Sequence, residues 1–190
     1  MSKPIVFDLE TQFLFQEVGH DPKKLKVSVV GIYDYADSQY SVYLENELSG
    51  LFRRFEQASL IIGFNSLKFD LAVLSPYYVG NIFQFPHLDL LGEVEKALGF
   101  RVSLNDLAKN TLGTEKSGLG LLAIEYFQNK QWDKLKAYCL NDVQITKDLY
   151  EYGKKESKLY YNSSRGRQSI PVNFLADQMT NTSISLSLPF

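Results

Sequence analysis

Three short stretches bring together residue types that can hold a hard metal ion: residues 6–11 (VFDLET), 63–70 (GFNSLKFD) and 138–142 (YCLND). In a strand, side chains alternate between faces, so Asp8 and Glu10 point the same way, about 7 Å apart along the chain. Phe7 and Leu9 then face the opposite, apolar side. Two acids side by side at the end of an apolar strand repel unless a cation lies between them. A solvated edge strand with two incidental acids reads the same. Asp70 follows an apolar run and a five-residue loop, close to a helix start. An acid there also favours the helix dipole, and Asn65 is equally an ordinary turn residue. Tyr138 and Asp142, four apart, share one face of a helix. They flank a stripe of Trp132, Leu135, Cys139, Val143 and Thr146 whose spacing marks it as buried, so the pair can face a cleft. A core-edge tyrosine beside a surface acid is the plainer alternative. Singly, each group has a structural explanation. Together, Asp8, Glu10, Asp70 and Asp142 form a carboxylate set without His or Cys, a donor chemistry that suits Mg²⁺ or Mn²⁺.

The elements that must position these groups follow from the hydrophobic pattern. Residues 5–9 read as a short buried strand, and residues 26–34 and 39–44 alternate around a turn-like Tyr35-Ala36-Asp37-Ser38, predicting a hairpin. Leu48, Leu51, Phe52 and Phe55 recur at helical spacing up to about Ala58. The apolar run 60–64 predicts a strand in the middle of a sheet. A helix is expected from Phe69 to before Pro76, and a fifth strand over 85–88. Helices follow over 89–98, 103–109 (with Ser103 and Asp106 as capping-box partners), 119–128 and 132–153. Asp89 is either a helix-start acid or part of the outer shell of the site. The order predicts an α/β domain over residues 1–155, with a mixed sheet of about five strands, the first three antiparallel, flanked by helices.

Composition sets the bounds. At 190 residues the chain fits one domain, and 45% hydrophobic with 14% aromatic residues allows a sizeable core. Apolar runs such as 60–64 stop short of a membrane span. The N-terminus enters a strand at once, leaving no room for a signal peptide. A single cysteine excludes an internal disulfide framework, and two histidines are too few for a His-rich metal site. A reducing, cytoplasmic setting is therefore expected. A net charge of −2 argues against a broadly basic nucleic-acid surface, but not against a site whose clustered acids are neutralised by bound cations.

In order and spacing, over residues 4–153, the three stretches resemble the motifs of the 3′–5′ exonucleases of the DEDD superfamily, within the ribonuclease H-like fold. The resemblance is to the tyrosine-type (DEDDy) branch, which includes the proofreading domains of family B DNA polymerases. D-x-E matches Asp8-Leu9-Glu10. Asn, three residues and Phe-Asp match Asn65 and Phe69-Asp70, and Y-x-x-x-D matches Tyr138 and Asp142. The histidine-type branch needs His five residues before Asp142, where Ala137 stands. The resemblance implies two divalent cations, Mg²⁺ or Mn²⁺. Asp8 would bridge them, Glu10 and Asp142 would complete the first, and Asp70 would hold the second largely through water. Two ions about 3.5–4 Å apart can activate the attacking water and stabilise the leaving 3′ oxygen. Tyr138 would aim that water, since a phenol with a pKa near 10 orients better than it deprotonates at neutral pH. Leu9 and Thr11 would receive the terminal sugar, and Asn65 and Phe69 the next bases. Lys116, in the glycine-rich LGTEKSGLG, is a candidate phosphate contact or an ordinary loop lysine.

The implied function is release of 5′-mononucleotides from the 3′ end of single-stranded DNA, in DNA replication or repair. A ribonuclease of the same fold stays open, because discrimination of the 2′-hydroxyl depends on a few contacts that sequence does not place. A non-catalytic interaction module is a third reading, against which the retention of all five site residues counts. The acidic balance predicts short, distributive action that fades steeply with salt. A polymerase or helicase acting with the chain is expected to be a separate protein. Residues 156–190 read as a tail. From 154 to 167, five basic residues face one acid, Glu156, interleaved with Tyr160, Tyr161, Asn162 and three serines. Residues 178–190 carry no charged side chain and end SLSLPF. This resembles the peptides by which bacterial replication and repair proteins dock on the sliding clamp. Ser185 stands where Gln is usual, while Leu186, Leu188 and Phe190 keep the apolar positions.

Overall fold

The computed structural model describes residues 2–114 and 121–174. Its centre is a five-stranded sheet made of β1 (Ile5–Thr11), β2 (Val27–Asp34), β3 (Gln39–Leu44), β4 (Ile61–Gly63) and β5 (His87–Asp89). The order is β3-β2-β1-β4-β5. The first three strands form an antiparallel meander, and β1–β4 and β4–β5 are parallel. Helix α1 (Leu48–Gln57) makes the crossover that a parallel β4 requires. It buries the face of Leu48, Leu51, Phe52 and Phe55, as their spacing predicts. Helices α2 (Asp70–Leu74), α3 (Leu90–Leu98), α4 (Leu104–Leu112), α5 (Leu121–Gln128) and α6 (Trp132–Glu156) follow.

Strand β1 lies mid-sheet, so its alternation feeds two cores. Ile5, Phe7 and Leu9 join the cluster under α1 and α2. Val6 joins the cluster formed with α3, α4 and α6. Asp8 and Glu10 share the parity of Val6, which aims them at the helix side where α6 crosses. That crossing is close because residue 31 is glycine. A Cβ on Gly31 would lie 3.0 Å from Val143 Cγ2, 3.1 Å from Cys139 Sγ and 3.2 Å from Leu140 Cδ2. Gly31 pairs with Asp8 across the β1–β2 ladder, and Cys139 Sγ donates to the Asp8 carbonyl at 3.4 Å. The sheet and α6 are therefore pinned together at Asp8.

Three expectations change in detail. Trp132 is 39% exposed rather than part of the buried stripe. It opens α6, and its ring meets Phe127 of α5 edge-on at 5.6 Å. Leu135, Cys139, Val143 and Thr146 are buried as expected. Ser103 caps α4 by accepting from Asp106 N (3.1 Å), but the Asp106 carboxylate does not reach back. It binds Asn110 Nδ2 and the Asn162 amide instead. Residues 158–171, read as the basic opening of a tail, form a hairpin of β6 (Lys158–Ser163) and β7 (Gly166–Pro171). Leu159, Ile170, Val172 and Phe174 enter the same core as Val6, Leu107 and Leu149. The dense basic charge on the outward face obscures this inward alternation in the sequence.

The parallel half of the sheet carries a built-in acid sensitivity. His87 Nε2 lies 2.9 Å from Ser66 Oγ, its Nδ1 is buried without a hydrogen-bond partner, and its ring sits edge-on to Phe7. Burial lowers its pKa from 6.5 to about 4, against a smaller opposing pull from Asp89. The unfolded chain binds the proton first, so stability is full above pH 6.5 and falls as pH drops towards 4. The expected loss is about 3 kcal/mol at pH 4 relative to pH 7. Urea titrations at both pH values should show it, with His87→Gln losing correspondingly less.

Candidate metal centre and cleft

Strand β1 delivers Asp8 and Glu10, and the middle of α6 delivers Asp142. One carboxylate oxygen from each of the three lies within 4.8 Å of the others. Asp142 is buried, and Asp8 and Glu10 are half-buried. Every donor is oxygen, because the nearby Cys139 thiol is directed to the Asp8 carbonyl. Burial, with the charges of Asp8, Glu10 and Asp142, drives that thiol's pKa well up, so it stays protonated. The set fits a hard divalent cation.

The trio opens on a cleft of about 580 Å³ that is also lined by Leu9, Thr11, Asn65, Phe69 and Asp70. Asp70 begins α2 and is 3% exposed. Because β4 stops at Gly63, β1 runs past its parallel partner, and Asp70 Oδ1 accepts the Leu9 amide at 3.2 Å. Burial raises the Asp70 pKa well above the ordinary carboxylate range. Its own and Leu9's amides act in the opposite direction, and the charges of Asp89 and Asp142 add to the rise. Thr11 follows a bulge in β1, and its hydroxyl donates to Phe13 O (3.0 Å). This turns the chain so that Phe13, Leu14 and Phe15 form an apolar wall. Phe15 meets Phe69 at 5.6 Å.

Asp89 is a helix-start acid that also ties down the loop before Asp70. Its carboxylate caps α3 through the amides of Leu91 (3.1 Å) and Gly92 (3.3 Å). It also accepts from Asn65 N (2.7 Å) and Leu67 N (3.1 Å). It therefore holds the loop before Asp70, where Asn65 takes the left-handed φ of 61° that asparagine tolerates. Arg101 is a cleft residue that the motifs do not signal. It is the one Lys or Arg among the described lining residues, and its Nη2 donates to Asn65 Oδ1 at 2.6 Å.

Tyr138 does not line the cleft. It is 4% exposed, one turn before Asp142, in a cluster with Val29, Ala123, Leu135 and Cys139. Its ring lies edge-on to Tyr126 at 6.4 Å. Periodicity assigned its face but not its depth. Lys116, Leu186, Leu188 and Phe190 lie outside the described residues.

A family model of the RNase_H superfamily matches residues 5–153, and the chain belongs to that superfamily. No curated protein matches the sequence. The structure is similar to that of the family B DNA polymerase from the hyperthermophilic archaeon Pyrobaculum calidifontis. The TM-score is 0.61 at 18% identity, over 80% of this chain and 24% of the polymerase. This chain thus spans about a quarter of the polymerase, and the likeness is one of fold. Among the described residues, no helix is long and apolar enough to cross a membrane.

Proposed function

We propose that the protein is a metal-dependent 3′–5′ exonuclease that hydrolyses single-stranded DNA from its 3′ end to 5′-mononucleotides. The observation that carries this reading is the convergence of Asp8, Glu10 and Asp142 within 4.8 Å beside the buried Asp70. Their cleft, at about 580 Å³, has the volume of a small-ligand pocket and suits a strand end better than the side of a duplex. Asp8, Glu10 and Asp142 would hold one divalent cation, with Asp70 and Asp8 serving a second. Bound there, the cations would supply an activated water and charge stabilisation at the leaving 3′ oxygen.

The chain's own groups set the geometry. The apolar wall of Phe13, Leu14 and Phe15, with Phe69, packs the terminal nucleotide and excludes water. Leu9 and Thr11 meet its sugar, Asn65 and Phe69 the preceding bases, and Arg101 a backbone phosphate. Lys116 is a second phosphate contact in this reading. In this reading Tyr138, which lies beside Tyr126, supplies the orienting hydrogen bond. Such bonds commonly tighten only in the substrate complex.

End-labelled single strands of DNA and RNA, incubated with Mn²⁺ or with EDTA, test the reading. The expected result is DNA shortened stepwise from the 3′ end, with no cleavage in EDTA and none by Asp8→Ala. Cleavage that persists in EDTA or in that variant contradicts the mechanism. Preferential loss of RNA transfers the same chemistry to a ribonuclease.

A further inference from the structure

We infer that the β6–β7 hairpin is a docking surface for single-stranded nucleic acid, carrying the strand behind the end held in the cleft. The inference rests on the exonuclease reading for its direction, but the binding it asserts does not require hydrolysis. A strand carries a phosphate at every nucleotide, whereas the protein has a net charge of −2 and the cleft is lined by carboxylates, with Arg101 its one described cation. Further cations must lie outside the cleft if a strand longer than its end is to be held.

The hairpin supplies them. Residues 157–174 contain Lys158, Arg165 and Arg167 and no acid. Among the described residues, none of the three cations is paired with a carboxylate. Arg167 Nε donates to Asn110 O at 2.7 Å, and its guanidinium lies 3.6 Å from the centre of the Tyr160 ring. Lys158 Nζ sits 5.8 Å from the same ring. The Arg165 side chain is exposed at the turn. Guanidinium groups beside aromatic rings match the phosphates and base faces of an unpaired strand.

The hairpin also lies in the right place. The start of α4 lines the cleft through Ser103 and Leu104. Strand β6 runs along α4 from its end to its beginning. Thr111 bonds both the amide and carbonyl of Tyr160 (2.9 and 3.1 Å), and Asp106 accepts from Asn162 N (3.2 Å). The turn bearing Arg165 therefore projects past the cleft end of α4. Phe100 joins the two regions. It is 48% exposed, meets Tyr161 at 5.7 Å and directly precedes Arg101 in the chain.

Fluorescence anisotropy with the full chain in EDTA tests this, using labelled dT3, dT15 and rU15 over a range of salt. The fifteen-mers should bind more tightly than dT3. Arg165→Ala/Arg167→Ala should weaken fifteen-mer binding about 10-fold near 0.15 M salt and flatten the log–log salt slope by about 0.7 per lost cation. Binding of dT3 should not change. Arg167 packs on Tyr160, so Arg165→Glu alone, at an exposed side chain, is the second variant. It should weaken binding of dT15, rU15 or both. Unchanged affinity and slope for both fifteen-mers in Arg165→Glu would overturn the inference. Absent hydrolysis with this binding pattern intact would remove the exonuclease reading alone.

Discussion

Asp70→Asn is expected to cut hydrolysis sharply while stabilising the metal-free protein. The substitution keeps an oxygen able to accept the Leu9 amide, so the junction of β1 and α2 survives. What it removes is a negative charge that is costly at this position. Asp70 is 3% exposed, and burial with the charges of Asp89 and Asp142 raises its pKa well above the usual range. The sign follows from linkage. A carboxyl that holds its proton more tightly when folded favours the fold at low pH, and that contribution is lost as pH rises through the folded-state value. Above that value the metal-free wild type carries the buried charge at a cost that the amide avoids. At pH 8 without metal, Asp70→Asn should raise the Tm by a few degrees, about 2–4 °C per kcal/mol for a chain of this size. Hydrolysis in Mn²⁺ should fall by about 10–100-fold, the loss typical of removing an outer-shell partner. A variant that is both active and less stable would mean that Asp70 is a structural acid.

The second large effect is expected at a residue with no functional group. Gly31→Val would place carbon atoms against Val143, Cys139 and Leu140 of α6, at a point where even a Cβ is at 3.0–3.2 Å. Overpacking of this kind costs about 1–3 kcal/mol. The larger consequence is geometric. Gly31 pairs with Asp8, and lifting α6 there separates Asp142 on the helix from Asp8 and Glu10 on the strand. A misplacement near 1 Å costs about 10²-fold in rate. Thermal melts and rates measured together distinguish the outcomes. Lower stability with full activity would show that the helix–sheet spacing does not govern the carboxylate cluster.

The legible part of this site is the part set by local periodicity. The alternation of Val6, Asp8 and Glu10 places both acids opposite Phe7 and Leu9, and the strand obeys it because both its faces are covered. The four-residue spacing of Tyr138 and Asp142 puts them on one helical face, and Asp142 meets the strand acids. Periodicity gives a face, not a depth, and Tyr138 lies in the α5–α6 cluster beside the cleft. Contacts between distant segments left no local trace. Asp89 holding the amides of Asn65 and Leu67, and Arg101 reaching Asn65, span 24, 22 and 36 residues. The hairpin escaped for another reason. Its basic residues dominate the composition of 154–167, while the few apolar residues that anchor it, Leu159 and Ile170, sit one per strand.

The central claim is that Asp8, Glu10 and Asp142 form a cation site. Anomalous diffraction from crystals soaked in Mn²⁺ tests it most directly. The account predicts a manganese peak among those three carboxylates, lost in Asp142→Asn. Crystals with no peak there, or with manganese bound only at other surface acids, would contradict it.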